Sequence, residues 1–256
     1  RRLSRFRALI GSVDGVIAGN RFLAECATRE GASSATLRVI PTCIATESYL
    51  PATHERRDGI ELVWIGSSST LAGLEIQTEL WNRVGREIVG SGLRLICDRF
   101  PNLDSMPVRP VSWAEATEAT ELAKADVGVT WIPDDLWSRG KCGLKLLQYQ
   151  AAGLPTIANP VGVHPEMIQS GVNGFLPITP DEWIEAVRVL RDDPSLRLRM
   201  GRAARRSVED NYSVSVWSST FVGMIGGTST SPSPKSWASR DKALSRETDA
   251  SSRRTP

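Results

Sequence analysis

Histidine and cysteine are scarce in the 256 residues: two histidines, His54 and His164, and four cysteines, Cys26, Cys43, Cys97 and Cys142, with no CxxC spacing to join any of them. A structural zinc site needs such a cluster, so no metal is expected, and unpaired, scattered cysteines suit a reducing compartment. No run of about eighteen apolar residues occurs, so no transmembrane segment is expected, and the N-terminus lacks the apolar stretch of a secretory signal. One-sided charge is also missing: 31 Lys and Arg stand against 29 Asp and Glu, a net of +2 that calls for no nucleic acid. GxGxxG follows no expected strand and GxxxxGK[ST] is absent, which removes the main support for a dinucleotide or Walker-type site. No cofactor is therefore expected, and the expected location is cytoplasmic or peripheral to a membrane. The basic start, Arg1, Arg2, Arg5 and Arg7, either touches an anionic surface or forms a solvated helix end. It reads as running straight into strand-like sequence, which suggests a preceding segment.

What the chain does have is 41% hydrophobic residues, enough for a sizeable core, and a regular alternation. Val13–Ala18 (VDGVIA) reads as a strand, and Asn20 caps a following amphipathic helix; Leu37–Ile40 reads as a second strand. A polar, proline-bounded linker is expected over Thr46–Asp58. From there the pattern predicts strand Leu62–Gly66, helix Leu71–Val89, strands Leu93–Cys97 and Val108–Val111, helix Ala114–Ala125 and strand Asp126–Ile132. Helix Leu144–Ala152, strand Thr156–Ala158 and helices Asp181–Arg191 and Pro194–Glu209 follow. Strands apolar on both faces, alternating with helices, predict an α/β fold with a doubly wound, Rossmann-like parallel sheet. The expected divisions are 1–50, the remnant of another domain plus linker; 51–212, the α/β domain; 213–226, a helix capped by Ser213; and 227–256, a Ser, Thr, Pro and Arg-biased tail expected to be disordered.

In such a sheet ligands bind beyond the carboxyl ends of the strands, near a topological switch point. Three loops qualify. Gly66, Ser67, Ser68, Ser69 and Thr70 offer small residues and hydroxyls before a helix, suiting either a phosphate or a plain cap. The stretch Trp131–Gly143 leads into a helix on which Lys145 and Gln148, three apart, share a face, while Leu144, Leu147 and Ala151 form the expected buried stripe. A cation in a first helical turn opposes the helix dipole unless an anion intervenes, and of five lysines two, Lys141 and Lys145, fall here beside Arg139. An anion site and a solvated basic loop both fit. Cys142 stands near basic groups and a helix start that can lower a thiol pKa. In the third loop Glu166 is either a helix cap or a ligand contact, and His164 is expected at the surface.

The stretch GKCGLKLLQYQAAGLPTIANPVGVHPEMIQSGVNGFL, Gly140 to Leu176, resembles the donor-binding segment of the family 4 retaining glycosyltransferases, of GT-B fold. The resemblance extends over LVWIGSSST, DVGVTWIPDDLWSRG and DEWIEAVRVLRDDPSLRLRMGRAARRSVEDNYS, covering roughly residues 13–225. It implies the C-terminal half of a two-domain enzyme, seen with a truncated N-terminal domain. It also implies transfer of a sugar, with retention and without metal, from a nucleotide-diphosphate-sugar donor to a glycan or small-molecule acceptor. The family's paired glutamates fall on Gly140 and Gln148; the glycine cannot replace the sugar contact, whereas Gln148 can still bond ribose hydroxyls. The family's basic pair lies partly where this chain has Ser67–Thr70, so Lys141 or Lys145 is assigned the catalytic charge on the leaving diphosphate. Gly66, Ser67, Ser68, Gly140, Cys142, Gly143, Leu144, Gln148 and Glu166 are the implied donor contacts. Two other readings stand beside this one: a non-catalytic nucleotide-sugar-binding or interaction module, and a nucleotide-sugar epimerase with His164 and Glu166 as acid and base.

Overall fold

The computed structural model describes residues 2–54 and 58–226, so the expected tail, 227–256, lies outside the described residues. Helix α1 (Arg2–Ile10) precedes β1 (Val16–Ala18), α2 (Arg21–Arg29) and β2 (Leu37–Val39). The basic start is thus a helix rather than a run into a strand. Strands β1 and β2 form a small parallel sheet, and Asn20 caps α2 by accepting the Leu23 N–H at 2.8 Å. The stretch expected to be a linker is held down. Just before it Ile44 pairs with Ser213, and within it the Ala52 N–H donates to the Ala152 carbonyl at 2.9 Å and the Tyr49 carbonyl accepts from the Arg205 guanidinium at 2.7 Å.

The main body follows as β3 (Ile60–Ile65), α3 (Ala72–Ile76), α4 (Thr78–Glu87), β4 (Ser91–Cys97), β5 (Val108–Ser112), α5 (Glu115–Ala123) and β6 (Val127–Thr130). Next come α6 (Leu136–Arg139), α7 (Leu144–Ala151), β7 (Thr156–Ala158), α8 (His164–Met167), β8 (Gly174–Phe175), α9 (Pro180–Asp192), α10 (Pro194–Asn211) and α11 (Val214–Ile225). The helix expected over Leu71–Val89 is two. The Leu74 carbonyl accepts both the Gln77 N–H and the Trp81 indole N–H, and the Thr78 hydroxyl takes the Glu75 carbonyl, which interrupts the regular ladder. Helix α9 starts on a capping box of Thr179 and Glu182 with Pro180 in the first turn, and α10 starts on Asp193 and Pro194. Ser213 precedes α11 but does not cap it; its hydroxyl lies against the Glu209 carbonyl at 2.8 Å.

Strands β3 to β8 form one six-stranded parallel sheet in the order β5-β4-β3-β6-β7-β8. This is the expected doubly wound α/β fold. Side-chain alternation divides the core into two layers. Leu62, Trp64, Leu93 and Leu95 pack with α4 and α9, whereas Val63, Ile65 and Ile96 pack with α5 and α7. Pro110 sits on β5, an edge strand, where a missing N–H is tolerated. Among the described residues no helix is long and apolar enough to cross a membrane.

Strands β3 and β6 pair at Leu62 with Val127 and Val63 with Gly128, and then a side chain comes between them. The fully buried Tyr149 hydroxyl accepts the Ile65 N–H at 3.0 Å and donates to the Val129 carbonyl at 3.2 Å. Its ring lies directly on Gly128, where an added Cβ would stand 2.3 Å from a ring carbon. Gly128→Ala is therefore expected to lower stability by about 1–3 kcal/mol through overpacking. Tyr149→Phe is expected to cost a similar amount, about 1–3 kcal/mol, by leaving two buried backbone groups unpaired. Urea unfolding of both variants measures this, and wild-type midpoints would refute it.

Candidate functional site

Order reverses in the sheet between β3 and β6, and the carboxyl ends of those strands open into a cavity of about 900 Å³. Its floor is Gly66 and Thr130, its walls carry Trp113, Trp131 and Trp137, and Lys145 and Gln148 project from α7. Three of the predicted loops meet here, joined by side-chain bonds. Asn159, after β7, clamps Ile132, after β6: its Oδ1 accepts the Ile132 N–H at 3.0 Å and its Nδ2 donates to the Ile132 carbonyl at 2.7 Å. Asn20 adds the small sheet to the assembly by donating to the Arg139 and Lys141 carbonyls at 3.2 and 3.1 Å.

Lys145 carries the strongest perturbation. Its ammonium lies 3.5 Å from the centre of the Trp64 ring and donates to the Thr70 hydroxyl at 3.3 Å. A Cβ on residue 66 would come within 2.7 Å of Nζ, so Gly66 leaves the space in which the ammonium sits. Burial, and then the neighbouring charge of Lys141, push its pKa down from 10.5 to about 7. Gly143, at φ +72°, begins α7, and among the described residues no side chain caps that end. The first N–H groups of α7 have no acceptor within the helix and are free to meet an anion.

The predicted residues divide. Gly66, Ser67, Lys141, Cys142, Gly143, Leu144, Lys145 and Gln148 line the cavity. Leu144 is half exposed there, whereas Leu147 and Ala151 are buried as expected, so the stripe lacks its first member, which lines the cavity instead. Ser68 is turned away: its N–H and hydroxyl donate to the two oxygens of Asp98 at 2.6 and 2.8 Å, holding that carboxyl below its usual range. Gly140 ends α6, its N–H donating to the Leu136 and Trp137 carbonyls. Glu166 lines a smaller neighbouring pocket with Asn20, Asp134 and Arg139, and burial raises its pKa. The Cys142 thiol is raised by burial, not lowered by its basic neighbours. His164 is buried, not at the surface, and its Nδ1 is 2.8 Å from the Asn159 carbonyl. Asp98, Trp113 and Glu118 also line the cavity but are marked by no motif; they stand just after β4, just after β5 and on α5, which no short pattern connects to α7.

Residues 75–193 match the family described as Glycosyl transferases group 1. The matched region contains β4 to β8 and the Lys145 helix. A D-inositol 3-phosphate glycosyltransferase of Streptomyces avermitilis is 42% identical over 69 residues, which is 26% of this chain and 15% of that protein. In fold, the chain is similar to sucrose-phosphate synthase of Thermosynechococcus elongatus, with a TM-score of 0.66 at 19% identity, covering 88% of this chain and 61% of that one. It is also similar to Anabaena HepE solved with UDP-glucose, with a TM-score of 0.68 at 13% identity, covering 89% and 68%. The chain thus spans only a small part of the curated relative and under two thirds of the synthase.

His164 is expected to make the α/β domain sensitive to acid. Burial first, then Lys141 and Lys145, lower its pKa from 6.5 to about 4 against the opposing bond to Asn159. The unfolded chain binds the proton more readily, so this contribution to stability is full above pH 6.5 and lost as pH falls toward 4. The loss is on the order of 3 kcal/mol. Denaturant midpoints across that window are expected to fall in the wild type and to fall less in His164→Asn; parallel slopes would refute the assignment.

Proposed function

We propose that the chain supplies the donor site of a retaining, family 4 type glycosyltransferase that transfers a sugar from a nucleotide-diphosphate sugar to a glycan or small-molecule acceptor. The observation that carries this reading is the Lys145 ammonium, set against the Ser67–Thr70 loop at the uncapped start of α7. The loop lacks a basic side chain of its own, and a lysine from another element fills the position. The D-inositol 3-phosphate glycosyltransferase that the chain resembles in part, and the fold neighbour solved with UDP-glucose, support the same donor class.

In this reading the bond between the anomeric carbon and the diphosphate breaks, and negative charge grows on the leaving oxygen. Lys145, Lys141 and the backbone N–H groups of Gly143 and Leu144 meet that charge in a half-closed cavity, where one well-placed donor contributes about 3–4 kcal/mol. No metal is assigned to this role. Retention brings the acceptor hydroxyl to the face from which the diphosphate departs, so the leaving oxygen is the nearest base for its proton. The site works in the cytoplasm or at a membrane surface in this reading, where nucleotide sugars are available.

Calorimetric titration with UDP, GDP, ADP and their sugar conjugates tests the site. One nucleotide is expected to bind, and Lys145→Ala is expected to weaken it roughly 10- to 100-fold, the worth of a charge-assisted bond. Equal affinity in the variant would remove Lys145 from the diphosphate. Binding should also take up protons, because an anion raises the Lys145 pKa from about 7. Uptake is expected to approach one proton near about pH 8 and to vanish in Lys145→Ala, as read from heats in two buffers of different ionisation enthalpy.

A further inference from the structure

Beyond Lys145, the cavity holds a carboxylate that the donor reading has not used. Glu118, on α5, accepts the Tyr49 hydroxyl at 2.6 Å and the Gln148 side-chain N–H at 2.7 Å on one oxygen, and the Trp113 indole N–H at 2.7 Å on the other. All three donors are neutral, so among the described residues no ion pair cancels its charge. Tyr49 remains a donor because burial, and then the bond to Glu118, raise its pKa well above the ordinary phenol value. A carboxylate accepts about four hydrogen bonds. Three fixed donors therefore orient Glu118 and leave acceptor capacity on the oxygen nearer Trp113.

We infer that Glu118 is the carboxylate that reads the ribose hydroxyls of the donor nucleotide, with Gln148 beside it as a second contact and Tyr49 as a positioning residue. This rests on the donor-site reading. Gln148 lies three residues after Lys145 on α7, which places the two about 5–6 Å apart along one face. A nucleoside diphosphate has the same order of chemistry: an anionic diphosphate, then a sugar carrying neighbouring hydroxyls. With the diphosphate at Lys145, the hydroxyls fall beside the Glu118–Gln148 pair. One O–H donor matches the acceptor site that remains on Glu118, leaving the neighbouring hydroxyl to Gln148, and the bond to an ionised acceptor is about twice as strong as to a neutral one. Gln148 is the amide through which α5 and α7 meet.

The test compares whichever of UDP, GDP or ADP binds with its 2′,3′-dideoxy analogue, by calorimetry on the full chain. The wild type is expected to favour the ribonucleotide roughly 10- to 100-fold. Glu118→Gln should bring that ratio toward unity by weakening the ribonucleotide while the dideoxy affinity stays level, and Tyr49→Phe should lower it by less. Exchanging the two groups, in Glu118→Gln with Gln148→Glu, should restore the preference, an outcome that a merely structural bond would not produce. A wild-type ratio near unity, or a ratio unmoved in a folded Glu118→Gln variant, overturns the inference while leaving the donor site standing. Failure of every nucleotide to bind the folded wild type overturns both.

Discussion

The Tyr149 hydroxyl, set between the backbones of β3 and β6, is the contact on which the arrangement depends. A parallel sheet whose strand order reverses has to separate two strands at their carboxyl ends, and separation leaves backbone groups without ladder partners. Tyr149 takes one N–H from one strand and gives one O–H to the other, so the sheet opens without an orphaned bond. Gly128 makes this possible by leaving its side-chain volume to the ring. Because Tyr149 belongs to α7, the same contact sets the height and rotation of the helix that carries Lys145 and Gln148. Packing and chemistry are therefore fixed together.

That geometry creates an electrostatic imbalance. The Lys145 ammonium is drawn from water over Trp64, near the positive end of a helix and near Lys141, with a ring face and a hydroxyl as its neighbours. A ring quadrupole offsets only part of the desolvation of a cation. Beside Gln148, one turn further along α7, the sign reverses at Glu118 of α5, a carboxylate held by neutral donors. A cavity with a cationic end and an acceptor end selects a ligand with the opposite order, and this polarity narrows the donor class more than cavity size does.

Much of this was legible in the residues. Strands apolar on both faces and capped helices identified the doubly wound sheet, with the Thr156–Ala158 strand placed to the residue and most other elements to within a few. The stretch from Trp131 to Gln148 declared itself by the concentration of lysine in a lysine-poor chain. Failures came where the deciding partner is distant in sequence. His164 has the composition of a surface loop, but the folded chain buries it near Lys141 and Lys145, some twenty residues before it. Ser68 has the composition of an anion loop, but Asp98, thirty residues on, takes both its donors. Glu118 lies on a helix whose sequence is acidic and unremarkable, and its meaning depends on three neighbours from the Tyr49 stretch, β5 and α7.

Local periodicity and capping determined the elements, since a strand's alternation and a helix's first turn are set by adjacent residues. They also determined the sheet type, since strands buried on both faces require helices on both sides. Tertiary structure alone decided which donors and acceptors were already satisfied, and hence which remained for a ligand. Hydrogen bonds saturate, and the bond that uses up Ser68 or orients Glu118 comes from residues that only the folded chain brings within 3 Å.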